Sequence, residues 1–437
     1  MGLRLIIPLY LIASGRPDAT HDGFQTACYV ETPFLTNLVL WMLGVFNRLF
    51  STTIQGTATA KMIIQGAFDS AGCLLVFGML RTRFSRDVAL KGAFLYAVWL
   101  PSIFYASQIL GEAYTPVLML TFGYAIMQGL SRERWQPWYG LAGIVGALVA
   151  FTRFDNIAIL PFFALFVLWA YRKTRWQAAA RVGVLLGAFG LSCVLVKGAI
   201  TLSAGRAGFT HSLNVSSPGE YRPSLPVALY NALGEYPGTY KGLRIFRDDA
   251  AFEHMKAQSA RYASSGDRIH RWLCRLWPGN PFLMTYVREV VVGKPILYAD
   301  WLFRRFVAYL PANPCIASVI TFVSGSRGNA YMNQYGYRFS QVYQGLKYVD
   351  YALFAVFALG AWLCRRDNAM LSLLAIYLGV LAGHVFTQVG EVFHRMEAEE
   401  VFIDPRYLLG MVAIWPVFLP LGLDGIRNLI RGKTLEG

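Results

Sequence analysis

The stretch MIIQGAFDSAGCLLVFGML, residues 62–80, decides the fold class because it is an almost unbroken apolar run. A helix needs about 20 predominantly apolar residues to cross a lipid bilayer. The run meets that length with a single charged residue, Asp69. It therefore predicts a transmembrane helix, in which we interpret Asp69 as a group that bonds a neighbouring helix.

Segments of the same kind recur along the chain. They lie at residues 89–110, 114–130, 139–151, 157–171, 182–200, 351–363, 370–386 and 407–423. A shorter run at 3–13 does not reach across a bilayer by itself. Counting it, the sequence predicts an all-α polytopic membrane protein with about ten transmembrane helices.

The composition agrees with a chain embedded in lipid. Of its 437 residues, 55% are hydrophobic and 15% are charged, and the mean hydropathy is +0.41. A soluble domain carries about 25% charged residues. The composition therefore excludes a disordered chain and argues against an ordinary soluble enzyme. The meaning of the net charge of +15 depends on where the charged residues lie in the sequence.

Most of the positive charge lies in alternate loops. Arginine and lysine concentrate at 81–91, 131–138, 172–181 and 365–366, and after the last apolar segment. Cytoplasmic loops of membrane proteins carry such an excess of arginine and lysine. The alternation along this chain holds only if the long interval 201–348 stays on the other side of the membrane. The charge thus predicts no nucleic-acid partner and indicates an integral membrane protein. We expect a bacterial inner membrane, with the other face of the protein toward the periplasm or exterior.

Three regions follow from this topology. Residues 1–200 form an N-terminal transmembrane module whose first outer loop, 14–57, is the expected catalytic loop. Residues 201–348 form an outer-face domain, since linkers are poor in the aromatic residues that this interval contains. Within it, 296–310 is either an interfacial helix or a buried one. Residues 349–437 supply the C-terminal transmembrane helices.

The first outer loop carries two candidate carboxylates. Asp18 and Asp22 are four residues apart and would share one face of a helix. A carboxylate beside an acceptor hydroxyl can act as a general base. Alternatively, both acids are solvated, or Asp22 caps a following helix. His21 adjoins this pair.

The second outer turn carries Glu112. An acid beside membrane helices is costly and is by default a functional hypothesis. The equal alternative is an acid at the start of the next helix, where the helix dipole favours negative charge.

Three cations occupy the outer side, against the charge trend. Lys61, Arg153 and Arg406 could together hold a phosphate or pyrophosphate, or Arg153 could pair with Asp155. For any single one of them, snorkelling to lipid headgroups is the simpler explanation.

The last outer loop adds Glu391, His394 and Arg395. His394 could join a metal site with Glu391 and Glu397, although no ligand spacing makes that site specific. A divalent metal is therefore possible, and no cofactor is certain. His384, inside a span, is interpreted as a helix-packing residue.

Several short motifs follow one another in a recognisable order. Asp22 precedes TPF at 32–34, KMIIQ opens a span at 61–65, and LPSIFYAS at 100–107 leads into Glu112. AFTR follows at 150–153 and RYLL at 406–409. This order resembles the membrane-embedded GT-C glycosyltransferases that use polyprenyl-phosphate sugars, such as protein mannosyltransferases and the aminoarabinose transferase of lipid A.

The resemblance implies a GT-C-like bundle with an active site on the outer face. It implies a polyprenyl-phosphate-linked sugar as donor and a glycan, lipid or protein as acceptor. Asp22 matches the family's first-loop carboxylate, with Asp18 as a competitor, and Glu112 matches the acid of its second outer loop. The family's phosphate-contacting residues correspond to a set of three cations, Lys61, Arg153 and Arg406.

The chain departs from the family in its first loop. The family often has an acidic pair followed by tyrosine, whereas here His21 and Asp22 precede Gly23 and Phe24. Two other classes of function remain open. One is a transporter or flippase of lipid-linked sugars, which would need inverted repeats and broken helices at the midplane. The other is a non-catalytic subunit for envelope assembly.

Overall fold

A computed structural model describes residues 54–106, 111–152, 154–204, 295–312, 314–315, 329–387 and 408–431. These residues are mostly helical, and none of them lies in a β-strand. The all-α prediction is thus confirmed over the described part of the chain.

Each of the apolar segments predicted from residue 62 onward overlaps one or two helices. The helices are α1 (Ile54–Arg81), α2 (Arg86–Ala97), α3 (Leu100–Ala106), α4 (Thr115–Ser131), α5 (Gln136–Thr152), α6 (Ile159–Ala170), α7 (Arg175–Ala204), α8 (Pro295–Tyr309), α9 (Asn329–Leu363), α10 (Asn368–Thr387), α11 (Leu409–Val412) and α12 (Trp415–Ile430). Two 3-10 turns, Gly111–Tyr114 and Phe154–Ala158, precede α4 and α6.

Four helical segments are long and apolar enough to cross a membrane. They are Ile63–Arg81, Arg175–Val196, Gly345–Leu363 and Asn368–Val385, and the bent pair α2 and α3 makes a fifth. Helices α4 and α5 have 17 residues each and α6 has 12. The described residues therefore support an integral membrane protein with four or five spans by length and composition, and they do not confirm the predicted number of ten.

The predicted span at 89–110 is broken. Helix α2 ends at Ala97 and α3 begins at Leu100, with a bend of 45° between them. Pro101 explains the break, because proline has no N–H to donate and its ring disfavours the helical conformation of the preceding residue. Pro101 is accommodated in the first turn of α3, where backbone N–H groups have no partner within the helix.

The tightest helix crossing joins α9 and α12. A β-carbon at Gly360 would lie 2.1 Å from the carbonyl oxygen of Phe418, and one at Gly422 would lie 2.0 Å from that of Val356. Small residues allow helix backbones in membranes to approach this closely. Beside the crossing, the rings of Phe357 and Trp415 stack with their centroids 5.2 Å apart.

The basic loops meet at one end of the bundle, which we call the basic end. Arg83, between α1 and α2, donates to the hydroxyl of Ser131 at the end of α4. Its Nε lies 3.5 Å from a carboxylate oxygen of Asp367, between α9 and α10. Arg181 of α7 donates to the carbonyl oxygen of Gly129 at 2.8 Å. The four loops that are predicted to share one side of the membrane are therefore neighbours.

Candidate functional site

Most of the predicted site residues lie outside the described residues. They are Asp18, His21, Asp22, Arg153, Glu391, His394, Arg395 and Arg406. For three others, Lys61, Glu112 and Asp155, the structure describes the backbone position alone. Lys61 lies in the first turns of α1, Glu112 in the turn Gly111–Tyr114, and Asp155 in the turn Phe154–Ala158.

A buried hydrogen bond joins the two turns that carry Glu112 and Asp155. The hydroxyl of Thr115 donates to the hydroxyl oxygen of Thr152 at 3.1 Å, and Thr152 in turn donates to the carbonyl oxygen of Val149 at 2.7 Å. Thr115 follows Glu112 by three residues, and Thr152 precedes Asp155 by three. The two turns are therefore fixed side by side, at the end of the bundle opposite the basic end.

Helix α1 lies against the first of these turns. The side-chain amide of Gln65 donates to the carbonyl oxygen of Ala106 at 3.4 Å, and Phe68 packs edge-to-face on Tyr114 with ring centroids 5.6 Å apart. Lys61 precedes Gln65 by about one helical turn. The segment of α1 that carries Lys61 thus reaches the end of the bundle at which Glu112 lies.

The C-terminal segment approaches the same place. Leu409 contacts Tyr105 in a small buried cluster. A β-carbon at Gly410 would lie 3.4 Å from Cγ2 of Thr115. Residues 409 and 410 therefore lie beside α3 and the start of α4, and Arg406 precedes them in the sequence but lies outside the described residues.

We call this convergence the distal site. It is formed by the segments around Gln65, 111–115, 152–158 and 408–410. Helices α4 and α5, which carry its turns, are about 25 Å long, whereas α1, α7 and α9 are about 40–50 Å long. All of them reach the basic end. Helix α1 begins at Ile54, so its first turns precede the segment around Gln65 and Phe68 that contacts the first of the two turns.

The structure adds one residue to this site that the motifs did not indicate. Asn156, in the turn Phe154–Ala158, is only 1% exposed, and its amide nitrogen and oxygen have no hydrogen-bond partner among the described residues. An unpaired buried amide costs about 1–3 kcal/mol. A bound ligand or an ordered water usually satisfies a buried polar group of this kind. No sequence signal distinguishes this asparagine from others, because its burial depends on packing against α10.

The acid inside α1 has the role that its position predicts. Asp69 is 1% exposed and accepts a hydrogen bond from the hydroxyl of Tyr96 at 2.8 Å. Its interpretation as a helix-to-helix bond is confirmed. His384 is fully buried in α10, as expected of a packing residue.

The segment 296–310, predicted to be either an interfacial or a buried helix, forms α8 and has one buried and one exposed face. In α8, Tyr309 is buried, and Leu310 just beyond it accepts a hydrogen bond from Tyr377 of α10. Phe303 and Ile296 are 66% and 83% exposed. Helix α8 therefore packs on α10 by one face and presents apolar side chains on the other.

Cysteine chemistry has no support in this region. The backbone N–H of Cys315 donates to a carboxylate oxygen of Asp350 at 2.8 Å. Burial and, to a lesser extent, the neighbouring Asp350 carboxylate together raise the pKa of the Cys315 thiol to about 12. The thiol is therefore protonated at physiological pH and is a poor nucleophile.

Within the described ranges, no group of three histidine, cysteine or acidic side chains could hold a metal ion. The predicted group of Glu391, His394 and Glu397 lies outside those ranges, so the possible metal site stays a prediction. No protein-family model matches the chain, and no curated protein matches it either.

Proposed function

We propose that the protein is a membrane glycosyltransferase of the GT-C type, with about ten transmembrane helices. It transfers a sugar from a polyprenyl-phosphate-linked donor to a glycan, lipid or protein acceptor. The observation that carries the proposal is the convergence at the distal site. Four segments that are far apart in sequence, each adjoining a residue that the family resemblance implies, meet at one end of the bundle.

The residues suit the chemistry of glycosyl transfer. The acceptor hydroxyl attacks the anomeric carbon as the bond from that carbon to the phosphate oxygen breaks, and the polyprenyl phosphate leaves. A carboxylate, Asp22 or Asp18, takes the acceptor's proton. Cations stabilise the negative charge that develops on the departing phosphate, for which Lys61, Arg153 and Arg406 are the candidates. Inversion at the anomeric carbon is expected by resemblance.

A position at the end of the helix bundle suits a lipid-linked donor. The donor's isoprenoid chain can stay in the bilayer while its phosphate reaches the turns. Asn156, buried in the second turn, supplies an amide donor and acceptor for a sugar hydroxyl or a phosphate oxygen.

The orientation follows from the charge. If the basic end faces the cytoplasm, the distal site faces the periplasm or exterior, where polyprenyl-phosphate sugars are consumed by enzymes of this type. Reporter fusions test this directly. Alkaline phosphatase fused after residue 312 should be active. The same enzyme fused after Arg134, Lys173 or Arg366 should be inactive. The reverse pattern would contradict the proposal.

A reconstituted assay tests the reaction itself. Purified protein in liposomes would be supplied with polyprenyl-phosphate sugars and a panel of acceptors, and transferred sugar would be measured by mass spectrometry. We expect product with the wild type, little with Asp22→Asn or Asp18→Asn, and wild-type rates with Asp87→Asn, an exposed acid at the basic end. Movement of the lipid-linked sugar across the bilayer without covalent product would instead indicate a flippase.

A further inference from the structure

A pocket of about 580 Å³ opens at the basic end. It lies where five elements meet: the turn after α1, the C-terminal ends of α4, α6 and α9, and the N-terminal turn of α10. The distal site is at the other end of these helices. The pocket is therefore separate from the glycosyl-transfer site.

Two arginines line the pocket. Arg83 is held in place by its contacts with Ser131 and Asp367. A guanidinium group has five N–H donors, so most of those of Arg83 remain available to an anion. Arg366 is exposed and has no hydrogen bond or ion pair to any described residue. Asp367 offsets part of this charge, and the lining keeps a net positive charge.

The rest of the wall is partly apolar. Phe84, Leu130, Leu363 and Cys364 supply the apolar part of the lining. An amphiphile with a phosphate head and hydrocarbon stems would bury apolar surface against it while its phosphate meets the arginines.

The location also fits a lipid. The pocket opens among alternate basic loops, where the negatively charged leaflet of a membrane would lie. Basic pockets between membrane helices on that side bind the headgroups of anionic lipids. Arg132, Arg172 and Arg365 nearby add to the positive potential without lining the pocket.

We infer that this pocket binds the phosphate of an anionic phospholipid from the leaflet at the basic end, with Arg83 and Arg366 as the donors. The inference requires the chain to lie in a membrane, but it is independent of the proposed glycosyl transfer.

Native mass spectrometry of the full-length protein, released from nanodiscs, tests the site. In nanodiscs of phosphatidylcholine with phosphatidylglycerol, the wild type should retain one phosphatidylglycerol that phosphatidylcholine does not replace. Arg366→Gln should weaken that retention about fivefold, since one arginine near an anionic surface contributes about 1 kcal/mol. The matched control is Arg365→Gln, which removes the same charge one residue away but outside the pocket and should retain the lipid.

A second variant keeps the arginines and fills the space. Asn368 is exposed and lines the pocket, so Asn368→Trp should also displace the lipid without unfolding the chain. Equal losses in Arg366→Gln and Arg365→Gln would overturn the inference, because surface charge alone would then explain the binding. Full retention of phosphatidylglycerol by Asn368→Trp would overturn the inference. It would also be overturned if soluble glycerol phosphate competed for the pocket as strongly as the lipid does.

Discussion

The hydroxyl group of Tyr96 donates a hydrogen bond to Oδ1 of Asp69 at 2.8 Å, and both side chains are buried. Tyr96 lies at the end of α2, just before the 45° bend. From the other side of the bend, the hydroxyl of Ser102 in α3 donates to the hydroxyl oxygen of Tyr96 at 3.4 Å. One tyrosine therefore ties α1 to both halves of the bent pair that leads to the distal site.

Removing this hydroxyl should destabilise the protein. In Tyr96→Phe, a buried acid loses a donor while the ring volume is kept, and we expect a loss of about 1–3 kcal/mol in the free energy of unfolding. Unfolding of the purified protein in detergent measures the loss. Tyr124→Phe is the matched control, because Tyr124 is half-buried and has no recorded hydrogen bond through its hydroxyl to a described residue. Equal losses in both variants would contradict the role of the bond.

Gly72 makes room for the same tyrosine. A β-carbon at position 72 would lie 2.3 Å from Cε1 of Tyr96, so Gly72→Ala should move the ring away from Asp69 and cost about 1–3 kcal/mol. Gly190→Ala, in a helix position with open space around it, should cost nothing. Combining Gly72→Ala with Tyr96→Leu should cost less than the sum of the two single changes, since residues in contact are not additive. Strict additivity would argue against the contact.

A caged arginine joins the helices at the basic end. Arg181 is 7% exposed, its guanidinium carbon lies 4.3 Å from the ring centroid of Tyr171 and 4.8 Å from that of Trp135, and it donates to Gly129. Arg181→Met should therefore cost about 2–4 kcal/mol of stability through the lost hydrogen bond and cation–π contacts. The same substitution at the exposed Arg172 should change the midpoint of thermal unfolding little. If the two variants melt together, the cage does not stabilise the fold.

A substitution at Asn156 should reduce activity without reducing stability. Replacing a buried amide that has no partner by a side chain of similar volume removes a desolvation cost, so Asn156→Leu should unfold no more easily than the wild type. If the amide contacts donor or acceptor, the same variant should lose transfer at least tenfold. Parallel unfolding and transfer measurements check both statements. Full transfer activity in Asn156→Leu would show that the amide does not contact donor or acceptor. Strong destabilisation of the same variant would show that the amide forms hydrogen bonds in the native protein.

Hydropathy predicts the positions of the helices here but not their shapes. Apolar runs such as 62–80 and 370–386 coincide with helices because burial in lipid requires both apolar side chains and internally satisfied backbone groups. Hydropathy does not predict the polar turns of α9 before residue 345, because a helix can continue outside the membrane on polar residues. The span predicted at 89–110 is instead broken before Pro101, with a bend of 45° that the hydropathy pattern does not indicate.

The site is less accessible to sequence reasoning than the fold. The order of motifs suggests which turns matter, yet the contact between Thr115 and Thr152 bridges residues far apart in the chain. The partner of Asp69 is likewise 27 residues away. Asn156 stands out only through its burial. Such features arise from three-dimensional packing, which a single sequence does not display.

Envelope glycans of the source cells test glycosyl transfer most directly. Mass spectrometry would compare a strain lacking the gene with strains that carry the wild type, Asp22→Asn with Asp18→Asn, or the control Asp87→Asn. The account predicts that one glycan, glycolipid or glycoprotein species loses a single sugar in the deletion strain. The wild type and Asp87→Asn should restore that sugar, and the double variant should not. Unchanged glycans in the deletion strain, or full restoration by the double variant, would contradict it.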